Sequence, residues 1–485
     1  MYRRPTKRQE FIRRLITYTV MTLSVLTIVS GIVLILLGYR FDTDNGRIEQ
    51  GALLQFETIP SGATVKVDGK VLRSKTPSKS SVLLGMHTFE IQKDGYQTWK
   101  KTLDIVAGTL TWLDYIRLVP KDIKVETVNI YTSVYGSLAT SDGRTMIIQQ
   151  TTSTPTFQID DLRSDDVKES TITIPADIYS GASVVGVTHT FDISSWDSDG
   201  RYILLQHTYD GQKEWLVLDT KDVTRTRNIT SVMSIDISSI AFSGSSGNLF
   251  YVLSGTDVRK LDLSSQTISR PLVGGVSGFE IFDGSVITYA GVNQADPTKR
   301  VLGFYSDGDD APRVLRTIDD TTTSVNIATA HYFNQDYVAI SEGSKVSITA
   351  GRYPASGSED NSSLSDFASF TMSSDIDLLS FSPKGDYLLV RSGSDFASYD
   401  IEHQRVTNFS LPVAGVPIMW LDDDHTWSDY DNGLIIREFD GTNSATLNSV
   451  VAGQGVAITT NDKYIYSIGK IDAGYQLQRV RMQLP

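Results

Sequence analysis

The feature that most restricts this chain is a unit that recurs along its C-terminal part: a short Ser, Asp, Asn or Gly turn followed at once by a strongly apolar strand. Ser141-Asp142-Gly143 precedes Met146-Ile147-Ile148, and Ser198-Asp199-Gly200 precedes Tyr202-Ile203-Leu204-Leu205. Ser246-Gly247-Asn248, Asp283-Gly284, Asn334-Gln335-Asp336, Ser382-Pro383-Lys384-Gly385, Asp422-Asp423-Asp424 and Asn461-Asp462-Lys463 lead into similar strands. Measured from 199 to 461, the turns lie 47, 38, 51, 49, 39 and 38 residues apart. The first interval, 141 to 199, is longer at 58 and includes a Thr/Ser-rich tip at 151–156. Periods of about 40–50 residues with four strands each signal sheets arranged radially. Over 121–485 the spacing predicts a β-propeller of eight blades, with seven the alternative if one turn belongs to a loop insertion. Radial closure removes exposed sheet edges, so this much β-sequence can stay soluble.

The opposite end of the chain follows different rules. Leu15 to Tyr39 is an uncharged, largely apolar run of 25 residues between Arg14 and Arg40. A membrane span needs about 20 residues. A signal-peptide core is shorter and ends at small residues, whereas this run ends in Gly38-Tyr39-Arg40-Phe41. It therefore reads as an uncleaved transmembrane anchor contacting lipid through 15–39. Residues 1–14 carry six basic side chains against Glu10 alone, which places this tail in the cytoplasm by the positive-inside rule. A net of +5 there leaves −18 for the rest of a chain whose total is −13. The acidic remainder is then extracytoplasmic. With no basic stripe to offset that charge, nucleic acid is excluded as a partner. The chain has no cysteine, so disulfides, thiol nucleophiles and zinc–thiolate sites are excluded as well.

Between anchor and repeats, residues 40–52 read as a juxtamembrane linker. From Leu53 the apolar period becomes two. Ala63, Val65 and Val67 alternate with polar residues up to Asp68-Gly69, and Phe89 and Ile91 alternate up to Asp94-Gly95. Leu103, Ile105, Trp112, Ile116 and Leu118 continue the pattern, giving five or six strands in a small sandwich. The segment Ile59-Pro60-Ser61-Gly62-Ala63-Thr64-Val65-Lys66-Val67-Asp68-Gly69 resembles the opening of a PEGA domain. Thr76-Pro77, Gly85-Met86-His87-Thr88-Phe89-Glu90-Ile91, Lys93-Asp94-Gly95-Tyr96 and Trp99 continue the resemblance over 53–119. Where the family's name spells Pro-Glu-Gly-Ala, this chain has Pro60-Ser61-Gly62-Ala63. The resemblance implies a surface-associated structural or binding module and carries over no catalytic residue. Val119-Pro120-Lys121-Asp122 marks the boundary to the repeats. There, Trp196-Asp197-Ser198-Asp199-Gly200-Arg201-Tyr202 and Phe381-Ser382-Pro383-Lys384-Gly385-Asp386-Tyr387-Leu388 resemble the turns of TolB-like and WD-repeat-like propellers. That likeness speaks to fold and not to ligand.

Chemistry is sparse in the sequence. His87, His189, His207, His331, His403 and His425 show no metal-ligand spacing. No Gly-x-Ser-x-Gly elbow and no Gly-rich phosphate loop before a helix occurs. No catalytic residue is assigned and no cofactor is expected beyond a weakly held calcium ion. The candidate ligands for it are Asp422, Asp423, Asp424, Asp429 and Asp431, with Asp307, Asp309 and Asp310 as a second acidic loop; turn formation is the competing account of both. Asp42-Thr43-Asp44-Asn45-Gly46 opens like a calcium loop, yet its twelfth position is Leu53 and not Glu. Ser356 to Asp375 reads as a flexible excursion inside a blade. The chain as a whole reads as an all-β ectodomain on one N-terminal helix. The function expected is a noncatalytic binding or scaffold protein whose propeller takes a protein or a cell-envelope glycan. The alternative is a glycan-active enzyme using propeller carboxylates.

Overall fold

A computed structural model describes residues 7–36, 39–42, 47–106, 109–282, 284–353 and 364–485. Helix α1 spans Lys7–Leu36. Its stretch Phe11–Leu34 is long and apolar enough to cross a membrane, and none of it is buried against protein. At 1.5 Å per residue, 24 residues cover roughly 36 Å, against about 30 Å of hydrocarbon. The hydroxyls of Thr17, Thr19 and Thr27 donate back to the carbonyls of Arg13, Leu15 and Leu23, so these side chains present little free polarity.

The helix extends beyond the N-terminal end of the expected span 15–39, and the strand that follows takes up its last residue. The helix starts at Lys7, and Tyr39 already belongs to a strand. β1 (Tyr39–Asp42) pairs antiparallel with β2 (Arg47–Gln50), so the region expected to be linker holds a hairpin. The turn of that hairpin, with most of the calcium-like loop that begins at Asp42, lies outside the described residues.

The small domain has seven strands, not five or six: β3 (Ala52–Ile59), β4 (Thr64–Val67), β5 (Lys70–Lys75), β6 (Ser78–Val82), β7 (Gly85–Gln92), β8 (Trp99–Ile105) and β9 (Leu110–Arg117). They form one sheet ordered β6-β3-β9, in which β3 and β9 run parallel, and a second ordered β5-β4-β7-β8. Period-two alternation buries Leu54 and Phe56 of β3, with Val65, Phe89 and Ile91 also fully buried. The Phe56 and Phe89 rings lie 5.7 Å apart. Full burial of each such side chain contributes roughly 1.5–3 kcal/mol. Asp68 and Gly69 both adopt positive φ, which a tight two-residue hairpin requires. The Asp68 carboxylate then reaches across to the backbone N–H of Thr88 and to His87 Nδ1. Residues 483–485 group with this domain, and Leu484 donates its N–H to the Tyr96 hydroxyl.

Residues 123–482 form the second compact unit. It contains eight four-stranded antiparallel sheets, so the seven-blade alternative falls away. Blades one to seven are built from 136–173, 189–228, 239–268, 276–318, 325–371, 378–410 and 419–449. Blade eight takes three strands from 457–481, and its outer strand is β10 (Val125–Tyr131), which pairs with Gly474–Arg481. Each of the eight turns singled out in the sequence joins the first and second strands of one blade.

Glycines at these turns serve two purposes. Gly143 and Gly200 have positive φ, and a Cβ on either would strike the neighbouring blade, at the Ile458 carbonyl and at Thr140 respectively. Further bonds link neighbouring blades: Trp196 Nε1 to the Leu138 carbonyl, Trp215 Nε1 to the Ile237 carbonyl, and Tyr332 hydroxyl to Glu402. Between blades eight and one, Tyr131 hydroxyl and Asn129 Nδ2 donate to Asp160, whose side chain is fully buried.

Two local expectations change. Within 356–375, Leu364–Thr371 is the outer strand of blade five, paired with Lys345–Gly351; residues 354–363 lie outside the described residues. The long first interval owes its length to the connection at 174–188 between blades one and two, as well as to the 151–156 tip.

Candidate functional site

The first strands of the blades surround the central channel. A pocket of about 470 Å³ opens there, spanning blades four, five and six. Glu280 and Phe282 come from the first strand of blade four, Thr329 and His331 from that of blade five, and Ser380, Ser382 and Pro383 from blade six. These residues lie close to the turns between first and second strands, so the pocket belongs to that mouth of the channel. The neighbouring polar groups are mostly committed. His331 Nδ1 lies 2.7 Å from Asp336 Oδ1, Ser382 donates to Asp386, and Ser380 accepts from Trp420 Nε1. Phe282 packs on Tyr353, ring to ring at 5.7 Å.

Glu280 differs from these. Its carboxylate has no hydrogen-bond or ionic partner among the described residues, and it is exposed to the channel. Protein walls nevertheless crowd it, and the resulting desolvation raises its pKa above the usual value for Glu. An accessible carboxylate with spare acceptor capacity suits a ligand that donates hydrogen bonds or carries positive charge.

The acidic residues singled out in the sequence are engaged mostly by turns and by neighbouring cations. Asp422 accepts from the backbone N–H of Asp424 and of His425, and lies 2.9 Å from His425 Nδ1. Asp423 is raised by burial and by the neighbouring Asp422 charge. Asp429 accepts the N–H of Gly453, while Asp431 sits in a tight turn with left-handed backbone. Asp307 pairs with Lys260 at 2.5 Å, Asp309 with Arg313 at 3.6 Å, and the Asp310 carbonyl accepts from Arg270. Among the described residues, no group of three or more His, Asp or Glu side chains is arranged to hold a metal ion.

A second polar centre is invisible to motif spacing. In blade two, Phe191 pairs with His207 and His189 with Tyr209, which brings two histidines 18 residues apart into contact. His189 Nδ1 lies 3.0 Å from His207 Nε2, and His207 Nδ1 lies 2.7 Å from Glu214 Oε1. Ser180, on the long 174–188 connection, donates its N–H and hydroxyl to the two Glu214 oxygens. Burial alone would raise the Glu214 pKa, but hydrogen bonds from His207, Asn228 and Ser180 outweigh it and hold the carboxyl at about 2. An ionised Glu214 only accepts, so His207 Nδ1 must donate to it. With one proton on each ring, His189 donates from Nδ1 to His207, and its own Nε2 remains an acceptor. The only sequence signal for this chain of contacts was a pair of histidines near facing ends of two adjacent strands.

Residues 52–121 match the family model described as the PEGA domain. Among solved structures, the chain is similar to the C-terminal WD40 domain of Sif2, with 11% identity and a TM-score of 0.46 over 74% of this chain and 98% of that one. It is also similar to an oligogalacturonate lyase in complex with manganese, with 12% identity and a TM-score of 0.39 over 73% of this chain and 99% of that one. Kluyveromyces lactis Hsv2 matches with 12% identity and a TM-score of 0.38 over 73% and 100%. No curated protein matches the chain. The family match and the eight four-stranded sheets define a PEGA-type β-module and an eight-bladed propeller, and the described residues include one N-terminal apolar helix.

Proposed function

We propose that the chain is a membrane-anchored binding or scaffold protein, with the N-terminal tail in the cytoplasm and the β-domains on the other side of the membrane. Its propeller binds an envelope protein or glycan at the channel mouth formed by blades four to six. The observation that carries this reading is the open pocket around Glu280, whose carboxylate no described residue engages. Six basic residues among the first 14 and a net −18 over the rest of the chain support the orientation. The test is capture from cell-envelope extracts on the immobilised, detergent-solubilised chain. A specific protein or glycan retained by the natural protein, and at least tenfold less by Glu280→Lys, is expected. Equal retention by both would remove the channel mouth from consideration, and no retention would count against a binding role.

A second reading is a glycan-active enzyme. The direction of the Glu280 shift favours it, because crowding by protein raises the pKa, as a general acid requires. Glycoside hydrolysis also requires a second carboxylate about 5–9.5 Å away, and Glu280 is the acidic residue among those lining the pocket. Turnover of envelope polysaccharides that is lost in Glu280→Gln would decide for this reading.

A further inference from the structure

Arg437 lies in the third strand of blade seven and is 4% exposed. Its cross-strand partner Thr426, and Ser428 two residues on, share its face of the sheet and are fully buried. Arg437 Nη2 donates to Ser428 Oγ at 3.0 Å. Among the described residues, Nη1 has no partner, and neither has Thr426 Oγ1. No carboxylate pairs with this guanidinium among the described residues, and burial lowers its pKa to about 10 with no opposing charge to hold it up. It is still a cation at neutral pH.

Strand alternation shows what it faces. Leu434 lies on the same side as Asn448, whose Nδ2 donates to Ser467 of blade eight. Arg437 lies on the other side, toward blade six. At that boundary the ring of Tyr387 stacks on Phe439 at 3.8 Å. A buried charge is normally paired, because desolvation without compensation is strongly unfavourable. A water molecule could accept from Nη1 but would leave the charge uncompensated.

We propose that a small monovalent anion of the halide class is bound between blades six and seven, held by Arg437 Nη1 and the Thr426 hydroxyl. One guanidinium edge and one hydroxyl supply donors for a single charge, and the enclosed position favours an ion that sheds its water readily. The site lies in the wall of the propeller, apart from the channel-mouth pocket, so it stands or falls independently of the binding role.

The test is thermal unfolding of the full chain in detergent at constant ionic strength, with sodium gluconate replaced stepwise by sodium bromide. A saturable rise in Tm is expected, as for any ligand that binds the folded state alone. Arg437→Met should abolish the rise. Thr426→Val removes a single hydroxyl, keeps the shape, and should raise the half-saturating bromide concentration severalfold. That second variant keeps the question open to test if Arg437→Met fails to fold. In crystals grown with bromide, an anomalous peak beside Nη1 is the matching observation. A Tm that is equal in gluconate and bromide, or a linear shift shared by the natural protein and Thr426→Val, would overturn the proposal and leave water at the site.

Discussion

In the small domain, the two strands flanking β3 lie within about 65 residues of it, and its core is made from neighbours in sequence. The propeller instead joins Thr127 of β10 to Gln476, 349 residues later, and Glu126 to Arg479. A local sandwich leaves sheet edges at β5, β6, β8 and β9, whereas the ring turns the first-strand edge of each blade to the channel and leaves the outer strand at the rim. The contrast teaches that stability is divided differently: packing of a few large side chains holds the sandwich, while one long-range strand pairing completes the ring. The expected unfolding behaviour therefore differs between the two.

Replacing residues 125–131 by a Gly/Ser segment of equal length should have the largest effect. It should abolish the cooperative transition of the propeller and leave that of the small domain in place, as read by calorimetry and limited proteolysis. A propeller transition that persisted would show that closure does not depend on β10. Phe56→Ala is the converse: a loss of about 3–5 kcal/mol confined to the small domain, measured as a fall in its transition alone. If both transitions moved together, the two units would not be energetically separate.

Glu214→Ala should cost about 3 kcal/mol in the propeller, because Ser180 and His207 lose a buried charged acceptor. Glu214 also carries a pH signature. Its depressed folded pKa means that its contribution is present above the unfolded value near 4.5 and is lost as pH falls toward 2. Asp160 has the opposite sign. Burial, acting against hydrogen bonds from Tyr131 and Asn129, raises its pKa to about 6. Its favourable contribution is therefore full below about pH 4 and is lost as pH rises through 6. Asp160→Asn should flatten that part of the propeller's stability–pH curve, and an unchanged curve would show that Asp160 titrates normally. The smallest effect is expected from Glu280→Gln, within about 0.5 kcal/mol on either transition, since the carboxylate makes no internal bond. A larger change would mean that Glu280 supports the channel wall and does not simply line it.

Much of this architecture could be read from residue order. Turns such as Ser198-Asp199-Gly200 mark blades because positive φ and the close approach of a neighbouring blade both demand a residue like glycine at one place. The alternation of Ala63, Val65 and Val67 fixed the pleat of β4. What escaped was set by distant pairing. Nothing about Val125–Tyr131 says that it completes a sheet with residues near 480, and Leu364–Thr371 looks like loop because half its side chains are Ser, Thr or Asp. The candidate sites were less legible still. Glu280 matters through the channel around it, and His189 meets His207 through strand register. The Asp422–Asp424 run, conspicuous as sequence, caps its own turn.

The manner of ring closure also sets an order of events during synthesis. As the polypeptide leaves the ribosome, β10 emerges before every blade, but the strand it pairs with, 474–481, comes roughly 350 residues later. At about 5–20 residues per second, β10 waits on the order of 20–70 seconds with its backbone donors and acceptors unpaired. Throughout that interval the nascent chain exposes a segment able to pair with other strands, so whatever chaperones it must act on a chain not yet finished.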